Sequence, residues 1–214
     1  MVAKENLYPA RLDIEYQREH NRLKTFFRLI LVVPILIILV LLTGTGGGET
    51  LAKDTTQTMS ASGGGIIVGL SVATGLMIIF RKKYPRWWFN FALELTRFST
   101  RVNAYLLLLT DQYPSTVDKQ SVQLDIDYPK VKQELNNLMP LVKWLLALPH
   151  YIVLAVLSVA AIVVTIIAWF AILFTGRYPK SLFDFVVGFT RWNLRVEAYV
   201  VLLVTDQYPP FSLK

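Results

Sequence analysis

Residues Tyr84–Leu109 read YPRWWFNFALELTRFSTRVNAYLLLL, and Tyr178–Leu203 read YPKSLFDFVVGFTRWNLRVEAYVVLL. Tyr84, Pro85, Phe89, Phe91, Thr96, Arg97, Arg101, Val102, Ala104 and Tyr105 recur as Tyr178, Pro179, Phe183, Phe185, Thr190, Arg191, Arg195, Val196, Ala198 and Tyr199, an offset of 94. Both stretches then close on TDQYP, at Thr110–Pro114 and at Thr205–Pro209, where one extra apolar residue makes the offset 95. A period this long, kept this well, predicts a tandem duplication of one structural unit. The unit is therefore the thing to explain.

Clustered apolar residues suggest what surrounds that unit. Hydrophobic residues make up 54% of the chain and its mean hydropathy is +0.44, against roughly 45–50% in soluble domains. Phe26–Leu42 is interrupted only by Arg28, Ile66–Phe80 carries no charge, and Leu141–Phe174 is nearly unbroken, with Lys143 and His150 near its start. These runs predict an integral membrane protein. The first 25 residues are polar and of mixed charge, unlike a signal peptide. With no cysteine, disulfides, thiolate metal sites and thiol catalysis are excluded.

The net charge is +7, and of 22 lysines and arginines only Lys53 lies between residues 43 and 65. If two hairpins dip into the membrane and return, every other basic residue falls on one side, which the positive-inside rule makes the cytoplasm. Both termini are then cytoplasmic. A basic face there attracts anionic lipid headgroups. Nucleic acid is set aside as a partner, because no binding motif accompanies the charge.

Each unit divides into parts. Repeat 1 (7–114) is expected to hold a strand at 11–16, membrane spans at 27–42 and 66–80 around an outer loop at 43–65, and an interfacial helix at 86–109. Repeat 2 (120–214) holds a strand at 122–128, a membrane hairpin at 143–175 and an interfacial helix at 180–204, then a tail. The strands rest on the alternation of Leu12-Asp13-Ile14-Glu15-Tyr16 and Leu124-Asp125-Ile126-Asp127-Tyr128. Their carboxylates suit the solvated face of a strand better than a hard-cation site, which needs converging oxygens. The hairpin at 143–175 follows from length. As one helix, the run from 141 to 174 would be roughly 50 Å long, against about 30 Å of bilayer core. Aligning Pro34 with Pro149 puts the turn near Ser158–Val159. The outer loop, rich in Gly, Ser and Thr, lacks a phosphate-loop lysine and reads as a linker.

The interfacial helices carry an apolar stripe, Phe91, Leu95, Phe98, Val102, Tyr105 and Leu109, repeated as Phe185, Phe189, Trp192, Val196, Tyr199 and Leu203. Arginines lie on another face. Such a helix is expected flat in the headgroup layer, rings anchored and guanidinium groups on phosphate. The candidate lipid- or partner-binding residues are accordingly Arg97, Arg101, Arg191, Arg195, Trp87, Trp88, Trp192, Asp111 and Asp206. For the arginines, a solvated face with local salt bridges is an equally good expectation.

The pattern in Arg177–Leu213, RYPxxLFDFxxGxxRWxxRVxAY followed by LTDQYPPFSL apart from the valine before its threonine, resembles a bacterial membrane-domain family, domain of unknown function 4389. Both halves show it, the second more closely, since Glu94 stands where Gly188 does and Asn90 where Asp184 does. The resemblance implies a bacterial multi-pass protein of the cytoplasmic membrane. It implies no activity.

Chemistry is sparse. His20 and His150 have no repeated partner, and a general base needs one within reach. Ser71, Thr74, Ser158 and Thr165 suit helix packing. No catalytic residue, cofactor or metal ligand is expected, and the chain is read as a non-enzyme. The first expectation is a membrane scaffold or accessory subunit that docks on a larger complex or on itself. A small transporter, channel or lipid-handling protein is the alternative, although the apolar runs lack the intramembrane charge that marks an ion path. An enzyme acting on headgroups comes third.

Overall fold

The computed structural model describes residues 8–43, 65–116, 118 and 120–214. Along them run β1 (Ala10–Ile14), α1 (Arg22–Leu31), α2 (Val33–Thr43), α3 (Gly65–Arg81) and α4 (Arg86–Leu106). There follow β2 (Val122–Ile126), α5 (Val131–Glu134), α6 (Met139–Leu146), α7 (Leu148–Thr175) and α8 (Lys180–Val200). The outer loop expected at 43–65 lies outside the described residues apart from its two ends.

The strand pattern is realised directly. β1 and β2 pair antiparallel with Leu12 opposite Leu124 and Ile14 opposite Val122. Alternation buries Ala10, Leu12, Ile14, Val122, Leu124 and Ile126 on one face and exposes Arg11, Asp13, Gln123 and Asp125 on the other. The buried face meets Ile78, Tyr84, Phe89, Tyr178, Phe183 and Val186 in one core built from both halves of the chain.

Two tandem hairpins do not form. Residues 148–175 are one uninterrupted helix, the one described helix long and apolar enough to cross a membrane. The expected turn near Ser158–Val159 has neither Gly nor Pro to make it. Ser158 stays helical and its hydroxyl donates to the Ala155 carbonyl at 2.7 Å. The excess length is removed upstream instead. Pro149 lacks an amide hydrogen and crowds the carbonyl four residues back, so the run breaks at Ala147 and Met139–Leu146 becomes a separate helix. Pro34 does the same in the first half. The expected span 27–42 is divided at Val32 into α1 and α2, bent by 42°, and only as a bent pair do they reach spanning length. α3 is apolar but shorter.

The two helices expected flat on the membrane are the centre of the molecule. Leu95, Phe98, Val102, Tyr105 and Leu109 are buried, with Phe98, Val102 and Tyr105 packed on Val32 and Ile35. On α8, Trp192 and Val196 pack on Leu154. Apart from Phe91, which is 44% exposed, the α4 stripe meets protein rather than headgroups. The helices also end early, at Leu106 and Val200, because Leu108 and Leu203 adopt left-handed backbone (φ 64° and 55°). That conformation costs roughly 1–2 kcal/mol outside glycine, and it is held here by burying both leucine side chains.

Candidate functional site

Asp111 and Asp206, from the two TDQYP segments, each meet a buried cation on a helix. Arg28 of α1 is 2% exposed and forms an ion pair with Asp111. Its Nη1 donates to the Tyr105 carbonyl at 2.7 Å, and its guanidinium lies 4.4 Å from the Tyr105 ring centre. Lys143 of α6 is 1% exposed, 2.8 Å from Asp206, donates to the Thr205 carbonyl at 2.7 Å and lies 5.0 Å from the Tyr199 ring centre. The backbone completes both clamps. The Asn21 amide donates to Asp111 Oδ2 at 2.7 Å, and the Asn136 amide to Asp206 Oδ2 at 2.6 Å. His20 Nδ1 adds a further contact to Asp111 at 3.1 Å. Burial pushes the Asp111 carboxyl up. His20, the Asn21 amide and Arg28 outweigh it, and the net position is below the ordinary carboxylate range.

These cations were legible as the only charges within the apolar runs 26–42 and 141–174, Arg28 and Lys143 standing 115 apart as do Pro34 and Pro149. What the sequence reading lacked was their direction. α1 turns Thr25 and Arg28 inward and exposes Leu23, Phe26, Phe27, Leu29 and Ile30, with Leu23 72% exposed. α6 buries Lys143 and exposes Leu141, Val142, Trp144 and Leu145. Both helices are inside out by the standards of a water-soluble domain.

The repeated arginines pin the strand pair. Arg97 Nε donates to the Leu124 carbonyl at 2.9 Å and its guanidinium pairs with Glu94 and Asp125. Arg191 Nε donates to the Leu12 carbonyl at 2.8 Å and reaches Asp13 at 3.4 Å. A two-stranded ribbon is all edge, and each arginine caps one of its strands. Arg101 donates to the Ser115 carbonyl; Arg195 donates to the carbonyls of Ser212 and Lys214. Arg11 holds Asp127 at 2.8 Å. Asp13, Asp125 and Asp127 thus face arginines, and among the described residues no cluster of three or more metal-ligating side chains occurs. Two further tyrosines tie the halves: Tyr16 donates to the Tyr178 carbonyl at 2.6 Å, and Tyr128 donates to that of Tyr84.

The tryptophans separate. Trp192 is buried and its Nε1 donates to His150 Nδ1 at 3.1 Å, while Phe211 of the tail stacks on the His150 ring at 4.0 Å. Trp88 is half-buried against the core, and Trp87 alone of the three is largely exposed. So of the nine candidates, eight are occupied within the fold, in clamps, strand contacts or packing. Together they can hold helices and strands in register.

Residues 138–212 match the family model of a domain of unknown function, DUF4389. The DUF4389 match covers α6, α7, α8 and the second TDQYP, including Lys143, Asp206, Arg191 and Gly188, a little over a third of the chain. Its lower bound falls after β2, so the strands lie outside the DUF4389 segment. Neither the curated proteins nor the solved structures contain a match.

Proposed function

We propose that this chain is a non-enzymatic, membrane-embedded scaffold or accessory subunit that docks on a larger membrane complex or on copies of itself. The observation that carries the reading is the reversed polarity of α1 and α6, which bury Arg28 and Lys143 and turn leucine, phenylalanine and tryptophan outward. That arrangement loses free energy in water, at roughly 25 cal/mol per Å² of apolar surface left wet, and loses none against hydrocarbon. The outward face of α7, with Ile152, Val156, Val159, Ile162 and Ile166 exposed, extends it. A non-enzymatic role is supported by the use of the repeated polar residues as internal clamps.

The proposed setting is the cytoplasmic membrane of a bacterium, entered more than once, with both ends of the chain on the cytoplasmic side. In support, Tyr8 donates to the carbonyls of Arg195 at 3.1 Å and Gln207 at 3.4 Å, tying the first described residues to the last helix and the tail. The test is extraction of the tagged protein in mild detergent, native mass measurement and identification of co-purifying chains. A stoichiometric assembly, with other chains or with itself, is expected. A monomer that recruits nothing even after cross-linking in intact membranes overturns the reading.

A further inference from the structure

The end of α3 forms a second feature, which the clamps do not use. Lys82, Lys83, Lys130 and Gln133 line an open cleft of about 580 Å³, floored by Tyr84 and Pro129. Among the described residues none that lines it is acidic. Arg86 stands beside it, over the Tyr128 ring at 5.2 Å. Lysines at a helix C-terminus complement the helix dipole, which accounts for cations in the last turn. It does not account for Lys82 itself, which takes left-handed backbone (φ 48°) and is exposed. Unlike Leu108 and Leu203, this residue gains no burial in return, and Gly or Asn would turn the chain at less strain.

An apolar stripe on the same helix ends two residues before Lys82. Val68, Val72, Leu76 and Phe80 recur every fourth residue on α3 and are exposed, Phe80 by 80%. From Val68 to Phe80 the helix rises about 18 Å, close to one leaflet of a hydrocarbon core about 30 Å thick. Five residues after Lys82 comes Trp87, 68% exposed, a ring suited to the headgroup level. A hydrocarbon stripe one leaflet long, ending at two lysines and an interfacial indole, has the layout of one phospholipid.

We propose that the cleft at Lys82 and Lys83 binds the phosphate headgroup of an anionic glycerophospholipid whose acyl chain lies along Val68–Phe80. The inference rests on the membrane part of the proposed function and is independent of the scaffold part. A free phosphate ester would satisfy the lysines but leave the stripe without a role.

The test is native mass spectrometry of the full chain released from nanodiscs of phosphatidylcholine with a minority of phosphatidylglycerol, scoring the lipid retained. The wild-type protein is expected to enrich phosphatidylglycerol over phosphatidylcholine. K82N/K83Q, which keeps a residue tolerant of left-handed backbone at position 82, should lose about tenfold or more of that preference. K24Q/K180Q, with the same charge change elsewhere, should keep it. Equal preference in all three proteins overturns the site. So does displacement of the retained lipid by soluble glycerol phosphate on wild-type protein, which would make the ligand a free phosphate ester. Loss by K82N/K83Q of a co-purifying protein, with lipid preference intact, would assign the cleft to an acidic partner and equally overturn it. Failure of the scaffold reading would leave these lipid ratios unchanged.

Discussion

Arg28 and Asp111 are a charge pair taken out of water, and the energetics of such pairs are asymmetric. Removing one partner leaves the other buried and uncompensated, typically at about 3–5 kcal/mol, while replacing both with apolar groups of similar size is often neutral. Asp111→Ala is therefore expected to lower the unfolding free energy in detergent by about 3–5 kcal/mol, and the double change Arg28→Met with Asp111→Leu to recover most of it. A full-sized loss in the double variant would show that the clamp does more than neutralise itself. Because the folded Asp111 carboxyl lies below its ordinary range, its contribution is present above pH ~4 and fades as pH falls through the folded value.

Glu197 on α8 behaves in the opposite sense. It lines a crevice with Ser71, Thr74, Thr96 and Ser99, and burial pushes its carboxyl up to about 7. The unfolded chain gives up this proton near pH ~4.3, so between there and about 7 the folded state holds the extra proton. Stability must then fall as pH rises through that window and level off above it. Unfolding midpoints of wild type and Glu197→Gln, compared at pH 5 and pH 8, check this. The gap between them should widen at the higher pH in favour of the glutamine.

At the scale of elements, one of the differences between α4 and α8 has a steric reason. A Cβ on Gly188 would stand 2.5 Å from the Leu213 carbonyl oxygen and 2.9 Å from its Cβ. Glycine there lets the C-terminal tail lie on α8, where Phe211 stacks on His150. The first half has Glu94 at this position, turned to Arg97. Gly188→Ala should displace the tail and cost about 1–3 kcal/mol, read as lowered thermal stability with faster proteolysis after residue 207. Unchanged digestion would mean the tail accommodates the methyl group where it lies. The residues of α4 and α8 were legible because both helices keep the 3.6-residue period, and the strands because both keep their alternation. What the period does not encode is the neighbour of a face. The stripe through Phe98 and Tyr105 was assigned to lipid and meets Val32 and Ile35 instead. Likewise, the hairpin expected at 143–175 rests on length and on the repeat, and its turn falls near Ser158–Val159, where no Gly or Pro stands. Aligning Pro34 with Pro149 located two helix breaks, at Val32 and Ala147, and was misread as locating a turn. Of the candidate site, Asp111 and Asp206 were found by repetition, while His20, Asn21 and Asn136 carry no signal outside the fold.

For the whole molecule, the bonds from Tyr8 to Arg195 and Gln207 constrain topology. In the proposed membrane setting, Tyr8 and the tail, packed together, are expected on the same side. Protease-cleavable tags on the amino and carboxyl termini are both expected to be protected in sealed right-side-out vesicles and both cut after permeabilisation. Cleavage of one tag from outside would contradict the shared side and the proposed orientation together.

The strand caps cross between the halves. Arg97 serves β2, but Arg191 serves β1, 179 positions earlier. During synthesis at about 5–20 residues per second, β1 leaves the ribosome roughly 10–35 s before its cap exists. In that interval its edge is open to pairing with any other strand. The nascent protein is thus most vulnerable before its last helix is made, and a chaperone or the insertion machinery has that long to shield it.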